Sequence, residues 1–369
     1  MNQLFRWDQM GLFLLALAAG ILPFAVPEVC AAALREGLTL CSGPLLLSLF
    51  PFLVVSRLLI QCPESDLLAL PFRLAAWGIG IRTPCAARVL CIGFLGGFAP
   101  AASAAAQAVR TGQLTAEEAD ALLPACICSG PSFVVLTVGQ SLLGSAELGV
   151  LLFASQITAN YLTAALLNRF AGVRSVKLGS AAPASPAPPR LDEILADAAI
   201  TYCKLCGFIL FFRMLAAGAG ALLPAGAGTL CSILLEVCSG CDLASRTGRW
   251  GSLLCCAALS VQGLSVLLQV RTICPPEMTL RPLYRARMLH LPLSLALFYL
   301  LLPGGEADVF STLPARVLLM RRVPPDCALL VFAVCCMAVC TLRSGIRQVE
   351  QKQMARNAGG CCINSKTLL

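Results

Sequence analysis

Apolar runs recur along this chain near 9–27, 38–61, 89–109, 122–143, 148–168, 198–224, 250–270, 288–303 and 326–342. Each approaches the roughly 20 residues that a helix needs to cross the hydrocarbon core of a bilayer. Inside that core every backbone N–H and C=O must find its partner within the protein, and a helix satisfies them along its own length. Composition agrees: 58% of the 369 residues are hydrophobic and 12% are charged, about half the charged share of a soluble domain. The sequence therefore predicts an all-α integral membrane protein, a polytopic helical bundle with about nine transmembrane spans. Pieces at 67–81 and 228–240 are too short to cross unaided. The amino terminus, Arg6 and then GLFLLALAAGILPFAV, is expected to be a retained first helix, since no A-x-A cleavage site follows it.

Residues 172–191, rich in Pro, Ala and Ser and free of acid, read as an extended linker on the cytoplasmic side. The linker divides a first transmembrane half (1–171) from a second (192–342), and a basic cytoplasmic tail follows at 343–369. Three basic groups are assigned to the cytoplasm by the positive-inside bias: Arg169, Arg174, Lys177 and Arg190; Arg271, Arg281, Arg285 and Arg287; and the tail from Arg343 to Lys366. That bias accounts for most of the formal charge of +8, and no dense basic block points to nucleic acid. The halves echo each other. PFLVVSRLL (51–59) matches GFILFFRML (207–215), and QAVRTG (107–112) matches LQVRTI (268–273), in the same order and at similar offsets. Such an echo suggests two related repeats with a solute site between interrupted half-helices, as in secondary transporters.

The interruptions are visible in GFLGGFAPAASAAAQAVRTG (93–112). Gly96 and Gly97 release the backbone from helical geometry, and Pro100 suits the first turn of a restarted helix. Unwound residues cannot face lipid, so they face protein or a watered cavity, into which a restarted helix points free N–H groups suited to an anion. The small residues from Ala101 through Ser103 to Ala106 allow close approach. A second break is expected at CSGPSF (128–133), around Ser129 and Ser132, and a third at 259–263, around Ser260 and Gln262. Gln156 and Asn160 share one helical face, and Gln262 and Gln269 are expected to share another. These polar groups serve equally well as interhelical glue or as site lining.

Arg213 is the only charged residue between Lys204 and Glu236, deep in an apolar run, and intramembrane charges mark solute paths by default. Arg57 is its counterpart in the first half. Glu236 reads as a partner of Arg213 or as a coupling-ion ligand. The single histidine, His290, is expected at the interface. Cysteines, 21 in all, lie mostly in apolar runs as small hydrophobes. The sequence carries no HExxH, Walker A or GxGxxG motif, so it predicts neither an enzyme nor a metal or cofactor site.

In LFPFLVVSRLL (49–59), GGFAPAASAAAQAVRTGQLTAEEADALL (96–123), SGPSF (129–133), LLEVCSG (234–240) and LSVQGLSVLLQV (259–270), the chain resembles the YlbJ-like sporulation integral membrane proteins of the nucleoside-recognition (Gate) domain family. The resemblance covers nearly the whole chain in family order. It implies a multi-pass protein of the bacterial cytoplasmic or outer forespore membrane, linked to moving dipicolinate from mother cell towards forespore. Partners implied are a small anionic solute, the lipid bilayer, and a homo-oligomer or other sporulation membrane proteins. A nucleoside or other neutral-solute carrier, and a non-transporting structural component, are the alternatives.

Overall fold

The computed structural model describes residues 2–61, 65–171 and 190–302. Of the linker expected at 172–191, residues 172–189 lie outside the described residues, as do the last apolar run at 326–342 and the basic tail, and Leu191 already opens a helix. Every described secondary-structure element is helical. Residues 2–61 form α1 (Asn2–Ala25), α2 (Pro27–Ser42) and α3 (Pro44–Gln61), followed by the short α4 (Ser65–Leu68) and α5 (Leu70–Gly78). Then come α6 (Pro84–Gly96), α7 (Phe98–Arg110), α8 (Ala116–Cys126), a π-helix (Ser132–Leu142) and α9 (Ala146–Ala171). Beyond the linker lie α10 (Leu191–Leu222), α11 (Ala225–Leu235), α12 (Val237–Ser245), α13 (Gly251–Val261), α14 (Gly263–Ile273) and α15 (Arg281–Leu301).

Four described stretches are long and apolar enough to cross a membrane: Pro27–Leu47, Ala146–Ala171, Leu191–Leu222 and Gly248–Ile273. The molecule's outside is itself apolar, with Phe24, Phe170, Met288 and Leu300 among the exposed side chains. Water would penalise such a surface, and lipid does not. Pro51 and Gly207 interrupt nothing: α3 and α10 run straight through them.

The run at 89–109 is two helices, not one span. At 13 residues α6 is about 20 Å long, short of the ~30 Å hydrocarbon core. It ends at Gly97, whose φ of 80° and ψ of −163° lie in a region essentially confined to glycine. The chain then turns back on itself. A Cβ added to Gly93 would sit 3.2 Å from the Ala101 Cβ, and one on Gly96 would sit 2.9 Å from the Pro100 ring. Thus α6 and α7 form a helical hairpin, its limbs held close by glycine and alanine. Ala101 to Ala106, with Ser103 among them, are all buried.

A second hairpin joins α11 to α12 at Glu236, where a Cβ on Gly240 would lie 2.8 Å from the Ile233 Cα. This tip follows from Glu236 itself. Its φ of −151° is extended, and its carboxylate accepts hydrogen bonds from the N–H groups of Cys238 (2.8 Å) and Ser239 (2.7 Å). The residue therefore ends one helix and caps the next.

Two further helices are broken but run on instead of folding back. The α8 segment gives way at Ile127 to extended backbone and restarts at Pro131 as the π-helix. α13 ends at Gln262 and α14 begins at Gly263, both with positive φ, 61° and 68°. Each hairpin tip presses on one of these breaks. A Cβ on Gly97 would meet Gly130 N at 2.7 Å, and one on Gly263 would meet Glu236 N at 2.9 Å. Backbone touches backbone at both places. Gly97→Ala is therefore expected to lower stability by well over the ~1 kcal/mol set by positive φ alone. Gly112→Ala, also at positive φ but with open space around it, should show only that backbone cost. Thermal unfolding in detergent, followed by a thiol-reactive dye reporting buried cysteines such as Cys126 and Cys255, measures the difference.

Candidate functional site

A helix broken inside the protein exposes buried carbonyls, and each must be matched by a donor. At Ile127 the donors are side chains. The guanidinium of Arg287, from α15, donates to Ile127 O at 2.7 Å and to Ser260 O at 3.4 Å. Gln262 Nε2 approaches the same Ile127 carbonyl at 3.4 Å. One buried cation thus spans the broken ends of α8 and α13, joining the two halves of the chain. Arg287 is buried, and among the described residues no carboxylate forms an ion pair with it.

Around this joint lies a polar cluster on α9, α13 and α15. Gln156 Nε2 donates to Ser260 Oγ (3.0 Å) and Cys256 O (3.2 Å), while its backbone oxygen meets His290 Nε2 at 3.2 Å. Ser260 and Ser294 bond through their hydroxyls. Asn160 stands one helical turn beyond Gln156 and is 1% exposed, yet neither its Nδ2 nor its Oδ1 has a hydrogen-bond partner. Thr163 Oγ1, Gln262 Oε1, Arg287 Nε and His290 Nδ1 are likewise buried and unpartnered. A buried polar atom without a partner costs on the order of 1–3 kcal/mol, so each such group calls for a physical reason. Asn160 Nδ2, Thr163 Oγ1 and Arg287 Nε are free to donate, whereas Asn160 Oδ1 and Gln262 Oε1 can only accept.

Anchors at the start of α15 set the position of Arg287. Asp120 on α8 accepts from Thr279 N (2.8 Å), Thr279 Oγ1 (2.6 Å) and Leu280 N (3.1 Å), holding the positive-φ residue Leu280 that opens the helix. Arg271 donates to Met278 O at 2.6 Å in the same turn. On the other flank Asn168 joins α9 to Ile79 O and Ala121 O, at 2.9 and 3.1 Å.

Of the residues singled out from sequence, Asn160, Ser260 and Gln262 belong to this cluster. Gly96, Gly97 and Pro100 form the first hairpin tip, buried against the second break, and Ser103 and Ser129 are buried in the segments beside it. Ser132 is exposed, because the helix restarting at Pro131 turns it outward. Gln262 and Gln269 do not share a helical face, since α13 ends at Gln262 and Gln269 sits on α14, bonded to Ser265.

Both echoed arginines pair elsewhere. Arg213 meets Glu36 on α2 at 2.7 Å, and Arg57 meets Asp197 on α10 at 2.6 Å, each partner being largely exposed. Glu236 is thus neither Arg213's hydrogen-bond partner nor a free ligand, because both its oxygens cap α12. The two residues that sequence reasoning placed elsewhere are Arg287, grouped with the cytoplasmic charges, and His290, assigned to the interface and in fact 1% exposed. Their signal was spacing: Leu283, Arg287, His290, Ser294 and Phe298 fall on one stripe of α15, and all five are buried.

Comparisons with family models, curated proteins and solved structures gave no match to this chain. Stability should separate the two kinds of charge. Asp120→Ala is expected to cost about 2–3 kcal/mol through its three lost charge-assisted bonds. Glu36→Gln and Asp197→Asn, at exposed ends of ion pairs, should each cost about 1 kcal/mol or less. Melting temperatures of the purified variants in one detergent check the order.

Proposed function

We propose that the chain is a secondary carrier of a small organic anion, held where the broken helices α8 and α13 meet Arg287. The observation that carries this reading is a fully buried guanidinium whose hydrogen-bond partners are main-chain carbonyls of two helix breaks, with unpartnered amide atoms around it. Dipicolinate, a planar dianion, is the cargo that the sequence resemblance implies, and its carboxylates match those donors. A YlbJ-like, Gate-type carrier in a sporulation membrane is the corresponding family proposal.

The element order supports two repeats of inverted orientation. Each half holds a hairpin followed by a broken helix and an unbroken one: α6–α7, α8 with the π-helix, and α9; then α11–α12, α13–α14 and α15. Three crossings separate the hairpins, through α8 with the π-helix, α9 and α10. An odd count brings the tips in from opposite faces, the arrangement of carriers whose site lies at the repeat interface. In this pairing Gly97 corresponds to Glu236 and Ile127 to Gln262, while α3 with Arg57 corresponds to α10 with Arg213. The match of QAVRTG to LQVRTI instead joins α7 to α14, which hold different places in that order. Counting α1 to α3 and the broken helices as crossings accounts for most of the nine spans.

A neutral-solute carrier is the second reading, favoured by Asn160, whose unpartnered amide offers a donor and an acceptor side by side. Uptake into proteoliposomes decides between them. For an anion carrier, Arg287→Gln lowers dipicolinate uptake at least tenfold, on the order of 1.4 kcal/mol of lost recognition or more, and Arg213→Gln leaves most of it. A nucleoside carrier would instead take up uridine and fail with Asn160→Ala. Movement of neither solute, with a membrane partner co-purifying, would favour the structural role.

A further inference from the structure

His290 sits one turn beyond Arg287 on the same face of α15, and it is the chain's single histidine. Its Nε2 lies 3.2 Å from the backbone oxygen of Gln156. A carbonyl oxygen only accepts, so Nε2 carries a hydrogen. In the neutral ring, Nδ1 is then a bare lone pair, and that atom is buried with no partner. An unused base therefore stands beside a fixed cation, in the polar cluster that would hold the solute.

The helices packed against α15 are α8, α9 and α13. Arg287 is the neighbouring charge on α15 itself. The α8 side brings the thiols of Cys126 and Cys128 together with two carboxylates, Asp120 engaged by Thr279 and Leu280, and Glu118 engaged by Thr83. From α9 comes the phenol of Tyr161, and from α13 the thiol of Cys256, to which Gln156 donates. On its own, a second positive charge one helical turn from Arg287 would meet repulsion in a low dielectric. An arriving dicarboxylate reverses that sign. One carboxylate is matched by Arg287, and the second can be matched by an imidazolium whose Nδ1–H points at it.

We infer that Arg287 and protonated His290 form a two-charge subsite for a dicarboxylate, so that one proton binds and travels with each solute. The proton comes from the medium, adds to the Nδ1 lone pair as the dianion arrives, and leaves with it on release. No bond other than N–H is made or broken. The inference rests on the carrier reading above and names its coupling ion.

The test is calorimetric binding of dipicolinate to the purified full-length protein in detergent, in buffers of differing ionisation heat, which counts protons taken up. The wild type is expected to take up about one proton per solute and to bind about tenfold more weakly at pH 8 than at pH 5.5, as the imidazolium is lost. His290→Gln keeps a donor for the Gln156 oxygen but cannot be protonated at Nδ1. It should bind without proton uptake, at about the wild type's high-pH affinity. Wild-type binding with no proton taken up, or His290→Gln binding with the same proton, overturns the inference and leaves an anion carrier standing. No dipicolinate binding by folded wild type overturns both. Should His290→Gln fail to fold, the wild-type proton count and pH dependence still decide.

Discussion

The bond from Arg287 to the Ile127 carbonyl is the interaction on which the rest of the molecule turns. Two burdens meet there. A carbonyl freed by a broken helix has no water to accept from, and a guanidinium stripped of water loses several kcal/mol of solvation. Placed against each other, and against Ser260 O and Gln262, each supplies what the other lacks. The requirement is strict in geometry, so α15 must start where Asp120 holds Thr279 and Leu280, and α13 must stop where Gln262 can turn. Long-range contacts between the halves follow from this local need.

Packing around the joint obeys a different rule. Lipid is as apolar as leucine, so helices in a membrane associate through close van der Waals contact and interhelical hydrogen bonds, not through hydrophobic burial. Close contact needs small residues, and the chain supplies them at the tips and crossings: Gly93 against Ala101, Gly97 against Gly130, Gly139 against Gly149, and Gly263 against the backbone at Leu235 and Glu236. Two of these glycines, Gly97 and Gly263, also take the positive φ found where their helices end. Composition that reads as weak helix-forming sequence is therefore the material of a tightly built centre.

Much of this could be read from the sequence where the chemistry is local. Gly96–Gly97 and Gln262–Gly263 mark their breaks because glycine or an αL residue is what a helix end requires. Gln156 and Asn160 announce a buried face because two amides four apart in an apolar run have no other use. What eluded the reading is tertiary. Whether an apolar run crosses or doubles back depends on contacts such as Gly97 with Gly130, farther apart in the chain than a hydropathy window spans. Arg287 follows Arg281 and Arg285, both exposed, and a count of charges merges the three. Only the face that each takes on α15 separates them, and that face matters because Ile127, more than a hundred residues earlier in the chain, has a carbonyl to fill.

That distinction also separates charge neutralised by a partner from charge left uncancelled. Arg57 and Arg213 are each matched by a carboxylate, so the pair carries no net charge and its field dies away within a few ångströms of the surface. Arg287 is matched by carbonyl dipoles, which satisfy its N–H groups but cancel none of its charge. A full positive charge therefore persists in a buried, low-dielectric place, where attraction to an anion is several times stronger than at the surface. Had one of the two carbonyls been a carboxylate, the joint would be as sound and the site would be neutral. With backbone oxygens as partners, the charge stays uncancelled where it is buried.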